Sequence, residues 1–175
     1  MAVPPNAPAS RLVIGFDTSL RSTGVGIVEA VGSRRIVHHY APIRIPAKAP
    51  LSEALARLDA AVAELLEQYR PAEAALEGVF FARNARTAMI LCHARGVVVA
   101  NCAKRAIPVY EYSPMEVKRA VTGVGSAEKA QVQAMVARIL SLAPPIQNDA
   151  ADALAIALAH LNRITGVRAL RPETL

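Results

Sequence analysis

The order in which strand-like and helix-like segments follow one another constrains the fold of this 175-residue chain more than any other feature. Arg11 to Phe16 is an apolar run that halts at Asp17. A polar segment, Thr18 to Thr23, separates it from Gly24 to Val31, rich in Val and Ile. Gly32 and Ser33 supply a turn before Arg35 to Ile45, which Pro46 and Pro50 end. Runs of this kind bounded by turn residues read as strands, so three strands come first, the second antiparallel to the first. Leu51 to Tyr69 then spaces Leu55, Leu58, Val62, Leu65 and Leu66 by three and four residues, predicting an amphipathic helix with Ser52 as N-cap and Pro71 as stop. Ala72 to Leu76 is a short strand closing on Glu77, Asn84 to Ala103 a long apolar helix expected to be buried on more than one side, and Pro108 to Tyr112 a fifth strand. A short helix over Pro114 to Ala120, a glycine-containing loop, a helix capped by Ser126 and running to about Leu142, a break at Pro144-Pro145 and a last helix over Asn148 to Asn162 follow. Three sequential strands and then alternating helix and strand predict one α/β domain over residues 11–164, a mixed sheet flanked by helices. A flexible Pro- and Ala-rich leader (1–10) and a loose basic tail (165–175) are expected on either side.

Composition narrows the class of function. Apolar residues make up 53% of the chain and aromatic ones 4%, with no Trp, so the core must be built from Ala, Val, Leu and Ile, and disordered or collagen-like chains are excluded. Cys92 and Cys102 fit no zinc pattern and are too few for a disulfide framework, which points to a reducing compartment. Met1 to Ser10 lacks the charged start and apolar stretch of a signal peptide, and no later run is long enough to span a membrane, so a cytoplasmic protein is expected. The net charge of +6 favours polyanionic partners, nucleic acid first among them.

Four acids stand where acids are costly. Asp149 and Asp152 are three residues apart, hence on one helix face, amid Ala150, Ala151, Ala153, Leu154, Ala155 and Ile156. The helix dipole accounts for an acid at Asp149, but its benefit fades by Asp152. Asp17 ends the first strand and Glu77 the fourth; a helix packed on the sheet can bring its first turn to those strand ends. Four gathered carboxylates raise one another's pKa unless cations neutralise them. Oxygen-only ligands select Mg²⁺ or Mn²⁺ over zinc, and a pair of such ions is suited to in-line displacement at a phosphodiester. Setting the four aside leaves ten acidic residues against 20 basic ones, a cationic surface around one acidic pocket.

Ile14-Gly15-Phe16-Asp17 with Arg21 and Thr23-Gly24, Leu76-Glu77 with Val79-Phe80 and Asn84, Ala94-Arg95-Gly96, Val117-Lys118, Gly123 to Lys129 with Gln131-Val132-Gln133, and Asp149 to Ala155 together resemble the RuvC family of Holliday-junction resolvases, over about Arg11 to Arg163. The resemblance implies an RNase H-like fold and a homodimer that places symmetric, Mg²⁺-dependent nicks in a four-way DNA junction, leaving 5′-phosphates. It implies Asp17, Glu77, Asp149 and Asp152 as ligands for two Mg²⁺, with Mn²⁺ as substitute, and the RuvA–RuvB branch-migration motor as partner. Lys118 and Lys129 would contact DNA near the scissile phosphate and Phe80 would stack on a base. The family usually follows the first aspartate with Pro-Gly; here Thr18-Ser19-Leu20 stands instead.

The remaining motifs admit plainer readings. Gly123 to Lys129 lacks Walker and dinucleotide spacing, so it is no nucleotide loop, although the following helix start can be read either as a phosphate contact or as an ordinary capped surface helix. Phe80 and Phe81 lie beside Arg83 and Arg86 in a loop next to Glu77, a setting for base stacking and phosphate contact, with Phe81 equally readable as core. His38, His39, His93 and His160 have no partner at metal-ligand spacing and read as structural or surface residues, and Tyr112 as a packed strand residue. Three competing functions stand beside the junction nuclease: a nuclease of the same fold acting on RNA or an RNA/DNA hybrid, a sugar-kinase-like ATP site, for which the chain is too short, and a junction-binding scaffold without catalysis.

Overall fold

Residues 10–78, 85–164 and 173–175 are described by a computed structural model. The strands are β1 (Ser10–Asp17), β2 (Ser22–Val31), β3 (Arg34–Arg44), β4 (Glu73–Glu77) and β5 (Val109–Tyr112). The helices are α1 (Leu51–Tyr69), α2 (Ala85–Lys104), α3 (Pro114–Thr122), α4 (Lys129–Leu140) and α5 (Asn148–Ile164). The five strands form one sheet in the order β3-β2-β1-β4-β5. β1, β2 and β3 pair antiparallel, while β4 runs parallel to β1 and β5 parallel to β4. This is the expected mixed sheet.

β1 is central and covered on both faces, which is why its sequence reads as a continuous apolar run instead of an alternation. Val13 faces a core shared with α3, α4 and α5, whereas Ile14 and Phe16 face a second core shared with α1 and α2. The same split divides Val28 from Ile27 on β2 and Ala75 from Ala74 and Leu76 on β4. With almost no aromatic bulk available, both cores are packed from Ala, Val, Leu and Ile.

α5 is buried along nearly its whole length, from Ala150 to Ile164, and lies against β1 and β2. Glycine makes that approach possible. A Cβ on Gly15 would stand 2.3 Å from the Ala153 carbonyl oxygen, one on Gly24 2.0 Å from the Asp149 carbonyl oxygen, and one on Gly26 2.7 Å from the Leu154 nitrogen. Further along α5, His160 is enclosed in the core. Its Nδ1 lies 2.7 Å from the Tyr112 hydroxyl and its Nε2 3.0 Å from a Glu73 carboxylate oxygen. Burial lowers the pKa of His160, so the ring is neutral, with Nε2–H donating to Glu73 and Nδ1 accepting from Tyr112. His160 and Tyr112 are thus structural, as their sequence context suggests.

Several local expectations are corrected. α1 begins at Leu51 with Pro50 as its N-cap, not Ser52; the Pro50 carbonyl accepts from the Ala54 amide at 2.9 Å. α2 is not buried on more than one side: Ala94, Val98, Asn101 and Cys102 form its one buried face, and Met89 is exposed. Its apolar residues outnumber the surface that α1 and the sheet offer it. Ser126 does not cap α4, which starts three residues later at Lys129. Ser126 sits in a turn, and the buried Ala127 holds the chain before the Gln131 side chain accepts from the Glu128 amide at 2.8 Å. Past residue 172, Thr174 bridges antiparallel to Tyr110 and the Leu175 amide donates to the Val109 carbonyl at 2.9 Å, an attachment to the edge of β5 that the patternless tail does not announce.

Replacing Gly15 by Ala should lower stability in urea unfolding by about 2 kcal/mol or more, because the added methyl meets helix backbone that cannot rotate away. Gly96, exposed in α2 with nothing within 4 Å of where an added methyl would sit, is the control: Gly96→Ala should stabilise by about 0.5–1 kcal/mol.

Candidate active site

Asp17 and Glu77 come together because β1 and β4 are parallel neighbours. The register Phe16↔Leu76 places the next residue of each strand side by side at the same sheet end. Side chains alternate across a sheet, so Asp17 shares the face of Gly15, which meets α5, and Glu77 that of Ala75, which packs in the α5 core. Asp17 pairs with Gly24, and the backbone of Asp149 rests on Gly24. The first turn of α5 therefore arrives over the ends of β1 and β4, bringing Asp149 and Asp152 to the two strand carboxylates. All four acids are half-buried.

The electrostatics record this convergence. The pKa of Asp17 is raised to about 7, first by burial and then by the charges of Asp152, Glu77 and Asp149, with Lys129 acting in the opposite sense. Glu77 is also raised, by burial and by Asp152, against the lowering influence of Lys129 and Lys118. Lys129 projects from the first turn of α4, and its ammonium donates to Asp152 Oδ2 at 2.6 Å; this hydrogen bond holds its pKa above the usual lysine value. Glu77, Lys118, Lys129 and Asp152 line a cleft of about 230 Å³ between α3, α4 and α5. Lys118 and Lys129 thus stand at the carboxylates. Phe80 and Arg83, together with Phe81, lie outside the described residues.

The loop after Asp17 closes without Pro-Gly. Leu20 is buried in the α1/α2 core, the Thr23 hydroxyl donates to the Ser19 carbonyl, and the Ser19 amide donates to the Thr23 hydroxyl oxygen at 3.2 Å. A leucine anchor and a threonine bracket hold this loop. Two positioning contacts escaped the sequence reading. The Ser22 hydroxyl donates to Asp149 Oδ2, and Arg95 Nη1 donates to the Glu77 carbonyl at 2.9 Å. Arg95 already stood in the sequence among the motifs of the resemblance, in Ala94-Arg95-Gly96, but with no partner or role attached to it.

A family model for the crossover junction endodeoxyribonuclease RuvC matches residues 13–160. The chain belongs to the RuvC family. A crossover junction endodeoxyribonuclease RuvC of Halorhodospira halophila is 45% identical over 148 residues, 85% of this chain and 88% of that one. Another, from Pelotomaculum thermopropionicum, is 42% identical over 161 residues, 91% of this chain and 98% of that one. Among solved structures, Thermus thermophilus RuvC in complex with a Holliday junction substrate superposes with a TM-score of 0.87 at 34% identity, covering 94% of this chain and 99% of that one. The yeast mitochondrial Holliday junction resolvase, 17% identical with a TM-score of 0.62 over 90% of this chain and 80% of that one, shares the fold. The fold is RNase H-like, and the chain is an endonuclease of the RuvC family. Among the described residues no helix is long and apolar enough to cross a membrane.

Whether RuvC-family carboxylates here fit a divalent cation can be tested on the chain itself. Among the described residues, no three acidic, His or Cys side chains form a ready-made metal cage; Asp149 is engaged by Ser22 and Asp152 by Lys129. The donors are nonetheless all hard oxygens, and burial first, with neighbouring carboxylates second, raises Asp17 and Glu77 despite the lowering influence of Lys129, and of Lys118 on Glu77. The set fits a hard cation.

A pH signature follows. Asp17 is protonated in both folded and unfolded chains below about pH 4 and ionised in both well above 7; in between, the folded state holds the proton more tightly. In EDTA the stability that Asp17 contributes should therefore fall as pH rises from about 4 to about 8, while the lowered His160 acts in the opposite sense in every variant. The melting temperature of the parent relative to Asp17→Asn, measured by thermal denaturation, should accordingly decline across that range.

Proposed function

We propose that this RuvC-family endonuclease resolves four-way DNA junctions, with Asp17, Glu77, Asp149 and Asp152 as the ligands of divalent cations, two Mg²⁺ per site with Mn²⁺ as a working substitute. The observation that carries the reading is the meeting of two parallel strand ends with the first turn of α5 on one sheet face, which gathers four acids beside two lysines. The solved Thermus relative bound to a Holliday junction supports the substrate.

Each residue has a task that its position explains. Asp17 and Glu77, on rigid strands, set the fixed side of the site, and Asp149 and Asp152, on a helix seated on glycine, set the other. When bound, divalent cations would activate water and stabilise the departing 3′-oxygen, leaving a 5′-phosphate. Lys129 neutralises Asp152 until an incoming phosphate offers it an alternative anion, and Lys118, on the opposite wall of the cleft, can engage the same backbone. Phe80 and Arg83 are assigned to base stacking and phosphate contact at the opened junction. The enzyme works as a homodimer, so that two sites cut two strands symmetrically, in the cytoplasm beside the RuvA–RuvB motor. The domain boundaries, with a leader over residues 1–10 and a basic tail over 165–175, belong to the same reading, except that Ser10 already pairs with Val31 in β1 and Thr174 and Leu175 join β5.

Asp152→Asn should abolish nicking of a synthetic four-way junction in Mg²⁺ while leaving junction binding within about twofold, because the ligand is lost but the cationic surface stays. Retained cleavage would sink the assignment. Faster cleavage of an RNA/DNA hybrid or of structured RNA than of the junction would move the enzyme to a different substrate.

A further inference from the structure

Arg95 lies on the face of the sheet opposite α5, yet it is tied to the backbone of one of the four acidic residues. It lies midway along α2, which packs in the α1/α2 core, and its side chain is only 14% exposed. One arm of the guanidinium, Nη1, donates to the backbone carbonyl of Glu77 at 2.9 Å. The other, Nη2, donates to the Glu111 carboxylate, to which it is also ion-paired. Glu111 is paired with Leu76 in the register of β4 and β5, and it precedes Tyr112, whose side chain packs on the α5 side, so Glu111 points toward α2. From that opposite side the fork reaches the peptide of the last residue of β4, while the next amide, Gly78, donates to the Tyr112 carbonyl at 2.8 Å.

We propose that Arg95 is a positioning residue for Glu77: anchored by Glu111 behind the sheet, it holds the Glu77 carbonyl and so sets the direction in which the Glu77 carboxylate enters the site. The proposal rests on Glu77 being a cation ligand. A flat guanidinium presents two N–H groups in a fixed fork and can hold both partners at once, where a lysine ammonium would hold them loosely. Partial burial sharpens the arrangement, since a guanidinium largely withdrawn from water favours keeping its carboxylate. Two tethers then fix the end of β4, the Arg95 fork on the Glu77 carbonyl and the Tyr112 carbonyl on the next amide.

The test compares Arg95→Gln, Arg95→Lys and Glu111→Gln with the parent in the full chain. Three quantities are read: melting temperature, affinity for a fluorescent four-way junction in Ca²⁺, and single-turnover nicking at saturating junction across a Mg²⁺ titration. Arg95→Gln should nick between about ten- and a hundredfold more slowly and need several-fold more Mg²⁺ to reach half its maximal rate, with junction affinity unchanged. Arg95→Lys should recover part of the rate and Glu111→Gln should shift both readouts in the same direction by less; these two carry the test if Arg95→Gln does not fold. Nicking at the parental rate and Mg²⁺ midpoint overturns the proposal, as does a loss expressed wholly as weaker junction binding, or one that tracks the folded fraction with no change in Mg²⁺ requirement. Asp152→Asn runs alongside: if it is inactive while Arg95→Gln nicks normally, the clamp alone fails, and if it nicks, the carboxylate site on which the clamp rests fails with it.

Discussion

Gly15, Gly24 and Gly26 leave no side chain between the sheet and α5, and the backbone contact this permits is what the remaining architecture depends on. A helix packed on a sheet normally rides on the side chains between them. Here the carbonyl of Asp149 and the backbone at Ala153 and Leu154 settle directly over β1 and β2, so the helix axis cannot shift without collision. Small residues on α5 itself, Ala150, Ala151, Ala153, Ala155, Ala157 and Ala159, complete the close fit. The far part of the helix is held by His160, whose two ring nitrogens are spent on Tyr112 and Glu73. Seated on glycine near one end and keyed by a buried imidazole toward the other, α5 presents Asp149 and Asp152 at a fixed height over the strand ends.

That rigidity has an electrostatic consequence. Acids that could move apart would do so; these cannot, and the strain is visible in Asp17, which burial and three neighbouring carboxylates hold at a pKa of about 7. On the proposed reading, a bound cation would relieve this concentration of negative charge. Lys129 offsets part of the repulsion through Asp152, and Lys118 through its influence on Glu77. Both lysines come from the α3–α4 side, so the same packing that closes the core also lines the cleft with positive charge that a DNA phosphate can claim. A surface with 20 basic residues is in this way tied to one acidic centre instead of being uniformly cationic.

Much of this was legible because it is local. An apolar run halting at Asp17, a short strand ending in Glu77, and two aspartates three apart in an alanine-rich helix are patterns within a few residues, and the element order follows from where prolines and glycines interrupt them. Helix starts were less legible: Pro50 and Glu128 displaced Ser52 and Ser126 because the helix begins where tertiary contacts let the first turn form, whatever good capping residue stands nearby. The burial of α2 was overread for a related reason. An apolar sequence states what a helix can bury, and Met89 remains exposed among the described residues because nothing in the fold arrives to cover it.

The sequence by itself determined which residues carry charge into apolar surroundings, and so which four acids to read as a candidate cation site beside a cationic surface. Tertiary structure alone decided how those residues meet. The pairing of β1 with β4, the seating of α5 on glycine, the capture of Asp152 by Lys129 and the reach of Arg95 through the sheet edge to the Glu77 carbonyl all join residues distant in the chain. Periodicity along one segment specifies the face it will bury; the identity of the opposing face, and the hydrogen bonds made there, depend on the simultaneous packing of every other element.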